Sequence, residues 1–119
     1  MSARLDCPKW CTRTHRDAEQ WLFLSHLIEV GRVRRGAVSE LAVYVIQVDE
    51  RTSEEWVREA PTVDVTGYDL ASGQLAKHDV TNLTLDQARA LAWVVEATGA
   101  GELAELLRQA VALIEEAGQ

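Results

Sequence analysis

At Thr84 the chain changes period, and that change constrains its fold more than any other feature. Before this point apolar residues run together or alternate; after it they recur every three or four positions. Thr84-Leu85-Asp86-Gln87 fits a capping box, in which the threonine hydroxyl accepts from the amide three residues on and the glutamine reaches back. Leu85, Ala88, Leu91, Ala92 and Val95 then share one helical face, which Gly99 and Gly101 end. Glu102 opens a second helix, with Leu103, Leu106, Leu107, Ala110, Val111 and Ile114 on one wide apolar face. Two amphipathic helices joined by three residues predict an antiparallel hairpin lying on a sheet. The breadth of the second face, extended by Leu113 and joined by tryptophans toward both ends of the chain, points to a homodimer.

The region before Thr84 reads as extended. Residues 41–48, LAVYVIQV, are β-branched and aromatic with almost no polar interruption, a strand buried on both faces. Residues 62–68 alternate, Val63 and Val65 on one face and Thr62, Asp64 and Thr66 on the other, which is the pattern of a half-exposed strand. Ala71-Ser72-Gly73 marks a turn, and residues 74–80 return as an antiparallel partner. The apolar run WLFLSHLIEV at 21–30 is ambiguous: Asp17 can cap a short helix through Leu24, with an extended piece from His26 to Val33. Gly31 and Arg34-Arg35-Gly36 interrupt it. The charged stretch 50–60 predicts a helical turn around 53–58, ended by Pro61. Strands followed by bundled helices give an α+β fold, a small antiparallel sheet covered by the C-terminal two-helix hairpin.

With 119 residues, 47% of them apolar, the chain has the length and core of one domain. It divides into an N-terminal metal-binding segment (1–30), strands (31–82) and the helical hairpin (83–119). No apolar run is long enough to span a membrane and no signal-peptide pattern opens the sequence, so a cytoplasmic protein is expected. Residues 1–35 carry seven Lys/Arg against four Asp/Glu, whereas the remainder carries a net charge of −10 within a total of −7. Phosphate contacts dominate nucleic-acid affinity, so only Arg13, Arg16 and the Arg32/Arg34/Arg35 cluster offer a basic patch, and charge runs of this kind usually form a solvated rim.

The densest chemistry lies in Cys7-Pro8-Lys9-Trp10-Cys11-Thr12-Arg13-Thr14-His15, with His26 eleven residues later. Two thiolates and two imidazoles are the ligands of a tetrahedral zinc site. Three intervening residues let irregular backbone wrap round an ion; Pro8 stiffens the turn and Trp10 can shield the sulfurs. Two other readings stand beside this one. Cys7 and Cys11 can pair as a disulfide, leaving the histidines idle, or remain unconnected buried thiols. His26, on an apolar run, also reads as a packed core histidine. The acidic pairs Asp49/Glu50 and Glu54/Glu55 sit in polar sequence and read as solvated, His78 as a surface residue on a strand, and Trp21, Trp56 and Trp93 as core or rim packing. There is no Gly-rich phosphate loop, nucleophile elbow or His-Glu-x-x-His motif.

The order Cys7-Pro8-x-Trp10-Cys11-x3-His15, a later His26, a strand ending near Gln47-Val48-Asp49, and Leu83-Thr84-x3-Ala88-Arg89-x-Leu91-Ala92 resembles a family of small actinobacterial proteins of unknown function. The N-terminal motif is the specific part; the helical motif consists of common core residues. The resemblance implies Cys7, Cys11, His15 and His26 as metal ligands and brings no activity or partner with it. One structural Zn2+ per chain is the expected cofactor, since four protein ligands leave no open position for catalysis. The expected function is a non-enzymatic module that binds another protein in a regulatory role. The alternatives are a nucleic-acid-binding regulator using the basic N-terminal third, and a thiol redox protein or enzyme.

Overall fold

The computed structural model describes residues 5–13, 15, 22–36, 39–53, 55–69 and 76–118. The fold is α+β. Strands β1 (Phe23–Arg35), β2 (Ser39–Arg51), β3 (Trp56–Arg58), β4 (Thr62–Asp69) and β5 (Ala76–Leu83) precede helices α1 (Leu85–Ala97) and α2 (Gly101–Ala117). The strands form one antiparallel sheet in the order β1-β2-β4-β5, and β3 adds to β2. One edge of β2 pairs along its length with β1; the other is shared, β4 taking Ser39 to Ile46 and β3 taking Asp49 to Arg51. Between those stretches Glu59 donates its amide to the Val48 carbonyl at 2.9 Å, so β2 stays paired where the chain passes from β3 to β4.

One face of the sheet carries the core. Val43, Val45, Val63 and Val65 are buried against Ala88 and Ala92 of α1 and Leu103, Ala104, Leu107, Ala110, Val111 and Ile114 of α2. Directly opposed residues of an antiparallel pair share a face. The pairs Ile28–Val45, His26–Gln47 and Leu24–Asp49 therefore continue this face beyond the helices. The N-terminal segment covers that continuation: Trp10 joins the main core, and Leu5 packs on Leu24 and Trp56. Thr12 docks the segment on the outer edge of β1, its amide 3.2 Å and its hydroxyl 3.1 Å from the Leu27 carbonyl. The helices and the Cys/His segment are thus neighbouring covers on one sheet face.

The capping box at Thr84 is formed in both directions, Gln87 N to Thr84 Oγ1 at 3.1 Å and Thr84 N to Gln87 Oε1 at 3.0 Å. Gly99 sits at φ 93°, a left-handed conformation that ends α1, whereas Gly101 begins α2 instead of terminating its predecessor. An Arg89–Glu115 ion pair of 3.0 Å and an Arg108–Glu96 pair tie the two helices together.

Several local expectations are corrected. Leu24 belongs to β1, paired with Asp49, and not to a helix; Asp17, the expected cap, lies outside the described residues. Burial of Leu24 and the ladder to a 13-residue β2 override the ambiguous local pattern. Gly31 does not interrupt β1. It follows a bulge between Glu29 and Gly31, and a Cβ there would sit 2.6 Å from Leu106 Cδ2, so the glycine admits α2. The hairpin turn comes later, with Gly36 at φ 76°. Residues 56–58 are strand and not part of a helical turn: mutual hydrogen bonds between Thr52 and Glu55 precede β3, and the exposed edge of β2 offers a ladder that a single helical turn cannot match. The 71–73 turn lies outside the described residues, as do Trp21 and the His78 side chain. Trp56 is buried, but Trp93 is 75% exposed and neither core nor rim. On α2, Leu107, Val111 and Ile114 are buried in the common core, with Leu106 and Leu113 partly buried against it.

Candidate metal centre

Pro8 and Cys11 close a turn, with the Cys11 amide 3.0 Å from the Pro8 carbonyl. This turn makes the four-residue step between the cysteines workable, since it folds Cys7 back toward Cys11 while Trp10 points into the core. Cys11 packs on the same core, and the docking of Thr12 on Leu27 sets the chain beside β1, where His26 projects from the covered face. The consequence is convergence. The ligand atoms of Cys7, Cys11, His15 and His26 lie within 4.8 Å of one another. Cys11 Sγ is 3.4 Å from His15 Nε2, and the two imidazoles meet edge to face at 4.8 Å between centroids.

These distances fit a metal. Metal–sulfur bonds of about 2.3 Å and metal–nitrogen bonds of about 2.0–2.1 Å, arranged tetrahedrally, separate ligand atoms by roughly 3.3–3.8 Å. The Cys11–His15 pair already has that spacing, and the widest pair closes through side-chain rotation of about 1 Å. Cys7 and Cys11 are not joined by a disulfide in this structure. Exposure falls from Cys7, at the surface, through Cys11 and His15 to His26, which is fully buried.

His26 carries the most informative geometry. Its Nε2 lies 2.7 Å from Asp49 Oδ2, while its Nδ1, equally buried, has no hydrogen-bond partner among the described residues. Buried polar atoms are nearly always satisfied, so an orphan imidazole nitrogen on a histidine clustered with three other ligand-type side chains has the signature of a metal ligand. Asp49 is itself 0% exposed and receives Arg58 Nε on Oδ1 at 2.8 Å and Arg58 Nη2 on Oδ2 at 3.0 Å. Burial by itself pushes the Asp49 pKa up, but the hydrogen bonds from Arg58 and His26 outweigh it and hold the carboxyl below its ordinary range. The hydrogen bond to Asp49 likewise raises the Arg58 guanidinium. The same guanidinium donates to the carbonyl of Asp6, next to Cys7.

All four sequence-predicted ligands come together. Asp49 does not conform to expectation: it is a buried acceptor, whereas Glu50 and Glu55 are exposed and Glu54 lies outside the described residues. Alternation from Val43 and Val45 places residue 49 on the core face of β2, and that parity was the signal capable of finding it. No comparable signal marked Arg58, because its position depends on β3 pairing with β2.

The basic cluster is occupied by carboxylates. Arg32 pairs with Glu29 at 2.8 Å and Glu40 at 3.2 Å, Arg34 with Glu40 at 3.5 Å, and the Arg32 guanidinium lies over the Tyr68 ring. Arg13 is exposed, whereas Arg16 and the Arg35 side chain are outside the described residues. No helix of the described residues is long and apolar enough to cross a membrane. No protein-family model, curated protein or solved structure matches the chain.

Proposed function

We propose that the chain is a small zinc-stabilised module, in which one structural Zn2+ bound by Cys7, Cys11, His15 and His26 fastens the N-terminal segment to the sheet. The observation that carries this reading is the buried, unpartnered Nδ1 of His26 beside two thiols and a second imidazole. Two sulfurs and two nitrogens favour zinc over calcium or magnesium, which take oxygen ligands. Charge supports the same choice, since Zn2+ neutralises two thiolates while Arg58 neutralises Asp49. Four protein ligands complete the tetrahedron and leave no position for a reacting water, so the module is non-enzymatic and its task is to bind another protein in a regulatory setting. Its kinship is with the small actinobacterial proteins that share the Cys, Cys, His, His order.

The need for a metal has a physical basis. Ordering backbone costs about 1–2 kcal/mol per residue, and among the described residues before β1 only Trp10 is a buried apolar side chain. Structural zinc supplies on the order of 10 kcal/mol in small modules. Elemental analysis of the protein purified without added metal should give one zinc per chain, lost in Cys11→Ser and kept in Lys9→Ser. Equal zinc in wild type and Cys11→Ser would overturn the ligand set. Nucleic-acid binding is the competing function; it would appear as an affinity falling by orders of magnitude from low to moderate salt. The pairing of Arg32 and Arg34 with carboxylates counts against it.

A further inference from the structure

We infer that Asp49 and Arg58 are positioning residues for the metal, a buried clamp that holds both ends of the ligand set and makes His26 coordinate through Nδ1. The inference rests on the zinc reading and extends it to residues that touch no metal.

The imidazole tautomer follows from the contacts. With its proton on Nε2, His26 donates to Asp49 Oδ2 at 2.7 Å and leaves the buried Nδ1 as the nitrogen with a lone pair to offer a metal. The other tautomer would set two acceptors 2.7 Å apart and leave a buried N–H with no acceptor among the described residues, two penalties in a fully buried site. Asp49 also accepts both Nε and Nη2 of Arg58, so the carboxylate cannot turn away from the imidazole without breaking a charged fork. Arg58 then carries the constraint to the opposite ligand. Its Nη2 donates to the Asp6 carbonyl, one peptide from Cys7, which is the most exposed of the four ligands. The clamp thus links His26 on β1, Asp49 on β2, Arg58 on β3 and the start of the N-terminal segment. Partners of this kind, which orient a ligating histidine and raise its basicity, typically alter metal affinity 10–100-fold when removed.

The test measures the zinc Kd of the full chain by competition with a chromophoric chelator, for wild type, Asp49→Asn, Arg58→Lys and the exposed neighbour Glu50→Gln. Asp49→Asn keeps the shape and removes the charge; it should weaken binding about 10–100-fold, with Arg58→Lys in the same direction and Glu50→Gln unchanged. The helical circular dichroism of α1 and α2 reports folding independently. If Asp49→Asn loses that signal, Arg58→Lys, which retains the positive charge but not the fork, decides the matter by its Kd. Nitrogen-15 spectra of the zinc form should show His26 protonated at Nε2 and metal-bound at Nδ1. Wild-type affinity in both variants, or coordination through Nε2, overturns the clamp while leaving the zinc reading intact. A wild-type chain that takes up no zinc at all sinks both.

Discussion

Gly31→Ala should change the sign of its effect on stability according to what occupies position 106. Gly31 lies within β1 and is absent from the positive-φ positions, so alanine fits its backbone. Replacing a strand-interior glycine on such a backbone is worth about 0.5–1 kcal/mol, because glycine loses more freedom on folding. Against this stands Leu106. The added Cβ would lie 2.6 Å from Leu106 Cδ2, about 1 Å inside the normal carbon–carbon contact distance of about 3.5–4.0 Å. Leu106 is partly buried against the core, so its methyl can escape only by leaving its rotamer or pushing α2 outward. Overpacking of this kind costs about 1–3 kcal/mol, more than the backbone gain. Gly31→Ala alone should therefore destabilise by about 0.5–2 kcal/mol. In a chain of 119 residues that corresponds to a fall of about 2–8 °C in Tm. In a Leu106→Ala background the obstacle is gone, and the same substitution should stabilise by about 0.5–1 kcal/mol. Urea denaturation of the four proteins under identical conditions with zinc added in excess, followed by helical circular dichroism, measures the cycle. A coupling below about 0.3 kcal/mol, or destabilisation in both backgrounds, would refute the claim that Gly31 is there to admit Leu106.

Other outcomes follow from the same structure. Leu107→Ala, at a fully buried site, should cost about 3–5 kcal/mol in denaturant, while Trp93→Ala, 75% exposed, should stay within about 0.5 kcal/mol of wild type. Thr84→Ala removes the acceptor for the Gln87 amide and should cost about 1 kcal/mol, with Thr84→Ser close to neutral. The Tyr44 phenol is pushed above its ordinary value of 10.0 by burial and by its hydrogen bond to Tyr68, with further repulsion from Glu29. The unfolded chain therefore releases this proton at lower pH than the folded chain, so Tyr44 contributes stability below pH 10 that is lost as pH rises toward the folded-state value. Denaturation midpoints across alkaline pH should show that loss in wild type and less of it in Tyr44→Phe; identical slopes would contradict it. A zinc chelator should lower Tm while sparing most helical dichroism at room temperature, since α1 and α2 bury their faces on each other and the sheet; complete loss of helix on chelation would count against that division.

Much of the architecture was legible in local sequence because it depends on local physics. The Thr84 box, the helical spacing of 85–95 and 103–114, and the alternation of Val63 and Val65 express hydrogen bonds and periodicities set within a few residues. The candidate metal ligands were legible for a related reason: thiol and imidazole carry their chemistry wherever they stand, and three of the four lie within nine residues of one another. What sequence could not decide depends on partners distant along the chain. Leu24 is a strand residue because β2 extends to Arg51, and residues 56–58 form a strand because the edge of β2 is open there. Asp49, solvated by local reckoning, is buried because His26, 23 residues earlier, and Arg58, nine residues later, both point at its carboxylate. Whether a carboxylate faces water or an imidazole is decided by which strands lie alongside it, and strand pairing is a long-range choice that no short window of sequence contains.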